Sequence, residues 1–348
     1  MKLTEGESTA MFNFDEERFL EIQTGAVKQA QRIGTALDEW SAGGGGRNVF
    51  FAGTGGAGLL MLPAVGLLHA RSSLPTYIER PAELILSGNA ELGPGSLVVI
   101  PSLSGTTKES MEVLAYCRER GAKILTFTGY ADVPLAEQAD YSFVNFGEDD
   151  TSSESFYLQS LMVALTLMNR RGEWPDLDSC LEELKKVPEL LVSVKRQFED
   201  QAADWAKHIA GSDYHIISGA GSTWAEAFYY GMCILEEMQW IRTRPIHGAD
   251  FFHGTLELVE PEVSVILLKG EDPTRRVMDR VEQFAVQYSD NVLVLDSAAA
   301  QLPGISEETR QLLSPVILAT ILERVSAHLE HLRQHPLTTR RYYKRVSY

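Results

Sequence analysis

The chain has 348 residues, of which 44% are hydrophobic and 23% charged, and its formal net charge is −17 at pH 7. A protein with this negative charge repels nucleic acid and anionic membranes. We therefore expect a small-molecule partner, no nucleic acid and no membrane. Its three cysteines, Cys117, Cys180 and Cys233, are far apart, which predicts no disulfide framework and no cysteine-rich metal site and fits the cytoplasm.

The first quarter of the chain predicts the opening of an α/β unit. Residues 14–42 follow a helical pattern that ends at a run of four glycines, 43–46. A buried strand is predicted at 48–52, followed by a glycine-rich turn and an apolar helix over 59–69. Strand, glycine turn and helix in this order are typical of α/β proteins.

The alternation of strands and helices continues to residue 175. Further strands are predicted at 75–78, 97–101 and 123–128, and helices at 81–86, 108–120 and 156–168. This order predicts a parallel sheet covered by helices on both faces, with ligands at the carboxyl ends of the strands.

The second half repeats the opening pattern. A strand at 214–218 is followed by a glycine-containing turn at 219–223 and an amphipathic helix over 225–240, which mirrors 48–69 and suggests an internal duplication. Later strands are predicted at 263–268 and 291–295, and helices at 275–288 and 315–332.

We therefore predict an α/β protein of two tandem three-layer αβα domains with parallel sheets. The predicted boundaries are a first domain with its N-terminal helix, linker helices, a second domain and a tail, at 14–175, 176–210, 211–333 and 334–348.

The turn that starts at Gly53 carries a glycine pattern. Gly53-Thr-Gly-Gly-Ala-Gly58 follows a strand, and Glu79 ends the next strand, which matches the dinucleotide-binding fingerprint in outline. Any phosphate-binding turn of an α/β protein also requires glycines, because the backbone must approach an anion closely. A nicotinamide cofactor is therefore the less favoured interpretation.

The segment Ser102-Leu-Ser-Gly-Thr-Thr107 places several hydroxyls around one glycine, between a strand and a helix. Hydroxyl and backbone N–H groups at such a position can hold a phosphate monoester without lysine or metal. The alternative is a helix-capping loop, which needs only one of the hydroxyls. Since no G-x-x-x-x-G-K-[ST] motif occurs, a monophosphate ligand is favoured over a nucleoside triphosphate.

Acidic and basic side chains are concentrated between residues 236 and 253. Glu236 and Glu237 fall in the last turn of a predicted helix, where the helix dipole disfavours anions, so burial of one would make it a better base. His247, Asp250 and His253 follow. A catalytic or structural role without metal is favoured over a metal site, and a surface helix with two solvated glutamates is the alternative.

These motifs resemble the sugar isomerase (SIS) domain family, and within it the deglycases of 6-phosphorylated sugar–amino-acid adducts, such as fructoselysine-6-phosphate deglycase and 6-phosphofructose-aspartate deglycase. The most specific segments are Leu-Glu-Glu-Met-Gln-Trp at 235–240, Ile-His-Gly-Ala-Asp-Phe-Phe-His-Gly at 246–254 and His-Pro-Leu-Thr-Thr-Arg-Arg-Tyr at 335–342. The chain differs from the usual family pattern at 248–250, Gly55 and Leu103, which leaves the substrate open.

The resemblance implies roles for single residues. Glu237 and His253 fall at the positions of the family's catalytic glutamate and histidine. The implied substrate-binding residues are Gly53, Thr54, Gly55, Ser102, Ser104, Thr107 and Lys344. The family's site lies at a dimer interface, so a homodimer is expected in which the histidine can come from the neighbouring subunit.

The implied activity is a deglycase that converts a 6-phosphorylated Amadori product to glucose 6-phosphate and a free amine through an enaminol, with no cofactor and no metal. One alternative is a glucosamine-6-phosphate deaminase or isomerase, or a deglycase of adducts with nitrogen at C2. A non-catalytic sugar-phosphate sensor is less favoured, because both Glu237 and His253 are present.

The tail, 334–348, is basic and aromatic in an otherwise acidic protein. By the same resemblance it covers the sugar site and contributes a cation there, Lys344 or its neighbour Arg345. The alternative is a tail that only joins two subunits through its aromatic side chains.

Overall fold

The structure is a computed structural model that describes residues 11–44, 46–147, 152–343 and 345–347. Within these ranges the strands form two sheets. The first contains β1 to β5, at Asn48–Ala52, Thr76–Glu79, Ser96–Ser102, Lys123–Thr128 and Tyr141–Val144. The second contains β6 to β9, at Tyr214–Gly219, Arg242–His247, Ser264–Lys269 and Val292–Asp296.

Helices precede, cover and connect the two sheets. In the first part of the chain, α1 to α8 are Glu16–Val27, Ala30–Ala42, Gly55–Leu59, Leu62–Arg71, Pro81–Ser87, Lys108–Glu119, Pro134–Gln138 and Ser152–Arg170. In the second part, α9 to α13 are Leu177–Leu184, Val187–Ala210, Trp224–Tyr229, Arg275–Tyr288 and Glu307–Arg333. A π-helix, Tyr230–Met238, continues α11 directly.

The two sheets have the same connectivity, which confirms the predicted tandem α/β architecture. All strands are parallel, in the order β2-β1-β3-β4-β5 in one sheet and β7-β6-β8-β9 in the other. The turns after β1 and β6 also match, since Gly55 and Gly221 both have a left-handed φ, +60° and +56°. In each sheet the strand order reverses beside the first strand, which opens a crevice at the carboxyl ends of the strands.

Two edge strands, β5 and β7, were not predicted from the sequence, and both carry polar side chains. The strand β5 is only four residues long, and β7 has the sequence Arg-Thr-Arg-Pro-Ile-His. Proline lacks the N–H group that a central strand must donate, so it is tolerated at a sheet edge, where β7 lies. A hydrophobic pattern cannot reveal strands of this composition.

Two predicted helices are wrong in extent. The helix over 14–42 is two helices, α1 and α2, which are separated at Lys28 and Gln29. The helix predicted to begin at Pro315 begins at Glu307, because Ser306 caps its N-terminus and accepts a hydrogen bond from the backbone N–H of Thr309 at 3.3 Å.

The predicted amphipathic α-helix over 225–240 is α-helical only to Tyr229 and π-helical from Tyr230 to Met238. A π-helix has a wider turn than the 3.6 residues on which the periodicity argument rests. The face on which Glu237 lies is therefore set by this local geometry and could not be derived from the sequence pattern.

One hydrophobic core joins the two sheets. Residues on one face of each sheet, such as Val99 and Ile266, belong to the same buried cluster as α8, α10 and α13. Of the described residues, α13 alone is long and apolar enough to cross a membrane, but 83% of its apolar stretch is buried within the protein, as expected of a core helix.

Candidate active site

The glycine turn after β1 lies at the carboxyl edge of the first sheet. Gly53 and Gly58 approach so closely that a Cβ on Gly53 would lie 2.6 Å from the Gly58 Cα atom. Gly55 has a φ of +60°, and both Thr54 and Gly55 are exposed. The turn therefore requires glycine at several positions and presents its outer edge to solvent.

The serine-rich loop after β3 lies on the other side of the same crevice. The Ser102 Oγ atom is 3.2 Å from Thr107 Oγ1, and Ser104 Oγ is 3.5 Å from the same oxygen. Gly105 holds the bend with a φ of +61°, and a Cβ there would lie 2.3 Å from the Val133 Cγ2 atom. Three hydroxyls are thus collected around one point.

This cluster stands at the N-terminus of α6. Thr107 is the N-cap residue, but its side chain accepts no hydrogen bond from the first turn of the helix. The simple capping alternative is therefore not what the structure contains. Hydroxyls beside an N-terminus whose amides lack a side-chain cap are suited to an anion.

Glu237 lies near the end of the π-helix and is about one-third exposed, at 32%. Its Oε1 atom is 2.8 Å from the Arg340 Nε atom. Glu236 is exposed and accepts a hydrogen bond from the Thr243 hydroxyl at 2.5 Å. Neither glutamate meets the condition of burial under which it would be a stronger base, because Glu237 is one-third exposed and paired with arginine and Glu236 is exposed.

The glycine turn of the first domain touches the helix that carries Glu237. A Cβ on Gly56 would lie 2.7 Å from the Tyr229 Cε2 atom and 3.2 Å from the Cys233 Sγ atom. Burial raises the pKa of Cys233 to about 12, and the charge of Glu237, four residues further on, adds to the shift. The crevice of the first sheet therefore opens beside the Glu237 helix.

His253 lies in a different layer. It is exposed and ends the short 3₁₀ helix Phe251–His253. Phe251 is fully buried, in a cluster with Met278 on the face of the second sheet opposite to the one that the Glu237 helix covers. The elements that carry Glu237 and His253 therefore pack on opposite faces of the second sheet.

The segment between β7 and His253 shows ordinary structural contacts. The His247 ring packs against the Trp224 ring, with centroids 5.5 Å apart, and Asp250 is exposed. Among the residues described, no group of three or more His, Cys, Asp or Glu side chains is arranged to hold a metal ion.

The tail contributes an arginine that the sequence analysis did not single out. Lys344 lies outside the described residues, and Arg340 is the described tail cation that is paired with Glu237. The sequence feature that could have identified Arg340 is the pair of adjacent arginines at 340 and 341, just after the His-Pro-Leu-Thr-Thr segment.

A buried acid near the start of the same helix was also missed. Glu226 is 1% exposed, and the Tyr157 hydroxyl donates a hydrogen bond to its Oε2 atom at 2.9 Å. Burial raises the pKa of Glu226 to about 8; the hydrogen bond from Tyr157 opposes this shift and the charge of Glu154 adds to it. Glu226 also lines a cavity of about 20 Å³ together with Ser326, which has room for about one water molecule.

The crevice of the second sheet is filled by a side chain of the protein itself. Asp272 accepts hydrogen bonds from the Ser222 backbone N–H at 3.3 Å and from its hydroxyl at 2.6 Å. It also accepts one from the Thr274 backbone N–H at 2.8 Å. Ser222 follows β6 and Thr274 follows β8, the two strands that correspond to β1 and β3 in the first sheet. The glycine turn and the serine-rich loop follow β1 and β3 in the same way.

Comparison with known proteins gives a consistent family. Residues 47–169 match the SIS domain. The chain is 29% identical over 306 residues to the fructosamine deglycase of Bacillus subtilis (strain 168), covering 86% of this chain and 92% of that protein. It is 28% identical over 239 residues to the fructoselysine 6-phosphate deglycase of Escherichia coli (strain K12), covering 69% and 68%.

Solved structures agree in fold. A crystal structure from Bacillus subtilis, named as a phosphosugar isomerase, superposes with a TM-score of 0.84 at 27% identity, over 94% of this chain and 99% of that one. A similarly named structure from Salmonella typhimurium gives a TM-score of 0.85 at 26% identity, over 93% and 99%.

Proposed function

We propose that this chain, whose residues 47–169 match the SIS domain, is a deglycase of 6-phosphorylated Amadori products, which releases glucose 6-phosphate and a free amine. The observation that carries the proposal is the contact of Gly56 with Tyr229 and Cys233. This contact supports a crevice at the first sheet that opens beside the helix carrying the candidate base, Glu237.

The phosphate group binds at the serine-rich loop. Ser102, Ser104 and Thr107 supply hydroxyls, and the N-terminus of α6 supplies backbone amides, so no lysine or metal is needed to hold the anion. The turn formed by Gly53, Thr54 and Gly55 lines the other side of the crevice. This loop fixes the 6-phosphate and extends the sugar toward the Glu237 helix.

Glu237 is the acid–base group of the reaction. In the open-chain sugar it removes a proton from C1, which gives an enaminol, and it returns a proton to C2. The C–N bond at C1 is then an imine, and water adds to it and releases the amine. A positioned acid or base of this kind accelerates a reaction by roughly 10²–10⁴-fold.

His253 assists ring opening by moving a proton between the ring oxygen and the anomeric hydroxyl. Because His253 lies in a different layer from Glu237 within one chain, the histidine at each site comes from a second copy of the protein. The functional unit is a homodimer with two sites, and the tail, with Lys344, covers each sugar.

The test is an assay with a set of 6-phosphorylated fructosyl amines, in which glucose 6-phosphate release is followed with time. We expect turnover of at least one phosphorylated fructosyl amine, and none of its unphosphorylated form. Glu237→Gln, which keeps size and removes the base, should abolish release.

Two outcomes would change the assignment. Turnover of glucosamine 6-phosphate in place of the fructosyl amines would make the protein a deaminase. Sugar-phosphate binding without turnover of any substrate would contradict an enzymatic role and favour a sensor.

A further inference from the structure

The first part of the tail runs back along the end of the helix that carries Glu237. The Gln239 side-chain amide donates a hydrogen bond to the His335 carbonyl at 2.7 Å. The Trp240 ring lies against the His335 ring at 4.5 Å, and the Arg341 guanidinium lies 3.9 Å from the Trp240 ring centre. Trp240 has a left-handed φ of +56°, a strained geometry that persists only where neighbours fix it.

Arg340 is held rigidly within this tail. Its Nη1 group donates to the carbonyl oxygens of Leu337 at 2.5 Å and Thr339 at 3.1 Å. Its Nε group donates to Glu237 Oε1 at 2.8 Å, and its side chain is only 10% exposed. The carbonyl groups of the tail therefore hold the guanidinium group in the orientation in which it contacts the carboxylate.

The surroundings of Glu237 disfavour its charged form unless a cation lies nearby. The carboxylate stands at the C-terminal end of a helix, where the partial charge is negative, and Glu236 is its chain neighbour. Both effects disfavour ionised Glu237. An arginine that is always charged and largely shielded from water offsets them, because screening by solvent is weak there.

We propose that Arg340 is a positioning residue that keeps the Glu237 carboxylate ionised and oriented for proton transfer. The proposal rests on the function proposed above, since it requires Glu237 to act as the base. It gives the tail a chemical role at residue 340, separate from that of Lys344, and couples docking of the tail to the protonation state of the site.

The experiment compares the pH dependence of kcat/KM in the wild type, Arg340→Gln, Arg340→Lys and Arg341→Gln. Loss of the charge in Arg340→Gln should move the acid limb to higher pH by about one unit or more, the usual effect of removing a cation close to a carboxylate. Arg340→Lys should keep most of the wild-type profile. Arg341→Gln removes the neighbouring tail cation, which lies over Trp240, and keeps the Arg340–Glu237 ion pair, so it should leave the acid limb in place.

A readout independent of activity separates this inference from the proposed function. Titration of ¹³C-labelled glutamate carboxyls, with Glu237 assigned by its absence in Glu237→Gln, should show a higher midpoint in Arg340→Gln. An unchanged midpoint would overturn the role of Arg340 even if the protein is a deglycase. Full turnover by Glu237→Gln would instead refute the base, and with it any part of Arg340 in proton transfer.

Discussion

Glu226 and Glu237 lie on one continuous helix, yet their surroundings are opposite. Glu226 is buried with Tyr157 as its hydrogen-bond donor, whereas Glu237 is partly exposed and paired with an arginine. Burial without a cation favours the neutral acid, and an adjacent cation favours the anion. One helix therefore carries a carboxylic acid that holds its proton at neutral pH and a carboxylate that is stabilised by charge.

The buried acid makes stability depend on pH. The pKa of Glu226 is raised to about 8 in the folded protein, from an ordinary value of 4.5. The folded state therefore binds the proton more tightly, and stability falls as the pH rises from about 4.5 to 8, by up to roughly 5 kcal/mol. We expect Glu226→Gln, which cannot ionise, to be more stable than the wild type at pH 9.

Chemical denaturation of both proteins at pH 6 and pH 9 measures this effect. The quantity of interest is the difference between wild type and variant, because other groups titrate in both. An equal loss of stability in the two proteins would show that the pKa of Glu226 is not raised in the folded state.

Neither pairing was predictable from the sequence. Arg340 and Glu237 are 103 residues apart, and Tyr157 and Glu226 are 69 residues apart. Both contacts depend on how the helices and the tail pack. The sequence proposes Glu237 as a site residue through its position in a motif, and not through any property of its environment.

At the scale of elements, the serine-rich loop makes a specific prediction. Thr107 is within 3.5 Å of the hydroxyls of both Ser102 and Ser104, so its loss should disturb the whole cluster. A hydrogen bond to a charged group contributes about 1.5–3 kcal/mol, which corresponds to roughly 10-fold or more in affinity. We expect Thr107→Val to raise KM by this factor with little change in kcat, and Ser104→Ala to have a smaller effect.

Thr106→Val is the comparison variant: Thr106 is exposed in the same loop, and its hydroxyl donates to Ser104 Oγ at 3.3 Å, but it is not one of the three proposed phosphate ligands. Steady-state kinetics of the three variants provide the measurement. KM values for Thr107→Val and Ser104→Ala that equal the wild-type KM would exclude the loop from the phosphate site.

Interior strands and the edge strands β2 and β9 were predicted within a residue or two, whereas the edge strands β5 and β7 were not predicted. β1, β3 and β4 are buried and apolar, and each precedes a turn. Their composition and the turn residues that follow them therefore both identify them. The edge strand β7 contains two arginines and a proline. Its assignment needs the pairing with the neighbouring strand β6, and the sequence pattern does not show which segments pair.

At the scale of the whole molecule, the separation of Glu237 and His253 predicts complementation between subunits. Glu237→Gln and His253→Asn should each be inactive alone. If each site takes its glutamate from one copy and its histidine from the other, a mixed dimer has one intact site. Random reassembly of equal amounts should then restore roughly a quarter of wild-type activity.

The measurement is turnover after the two variants are unfolded together and refolded, with each refolded alone as the control. Size-exclusion chromatography establishes that dimers have formed. Mixed dimers that remain inactive would mean that Glu237 and His253 act within the same chain.

Asp272 makes the two halves of the internal duplication differ at their anion-binding turns. The two halves share their strand order and the left-handed glycine of the first turn, so the fold offers two equivalent places for an anion. In the second half the anion is part of the polypeptide, already bound by Ser222 and Thr274. If the first repeat binds the phosphate as proposed, we expect one sugar phosphate per chain, because an aspartate of the chain itself already occupies the equivalent position in the second repeat.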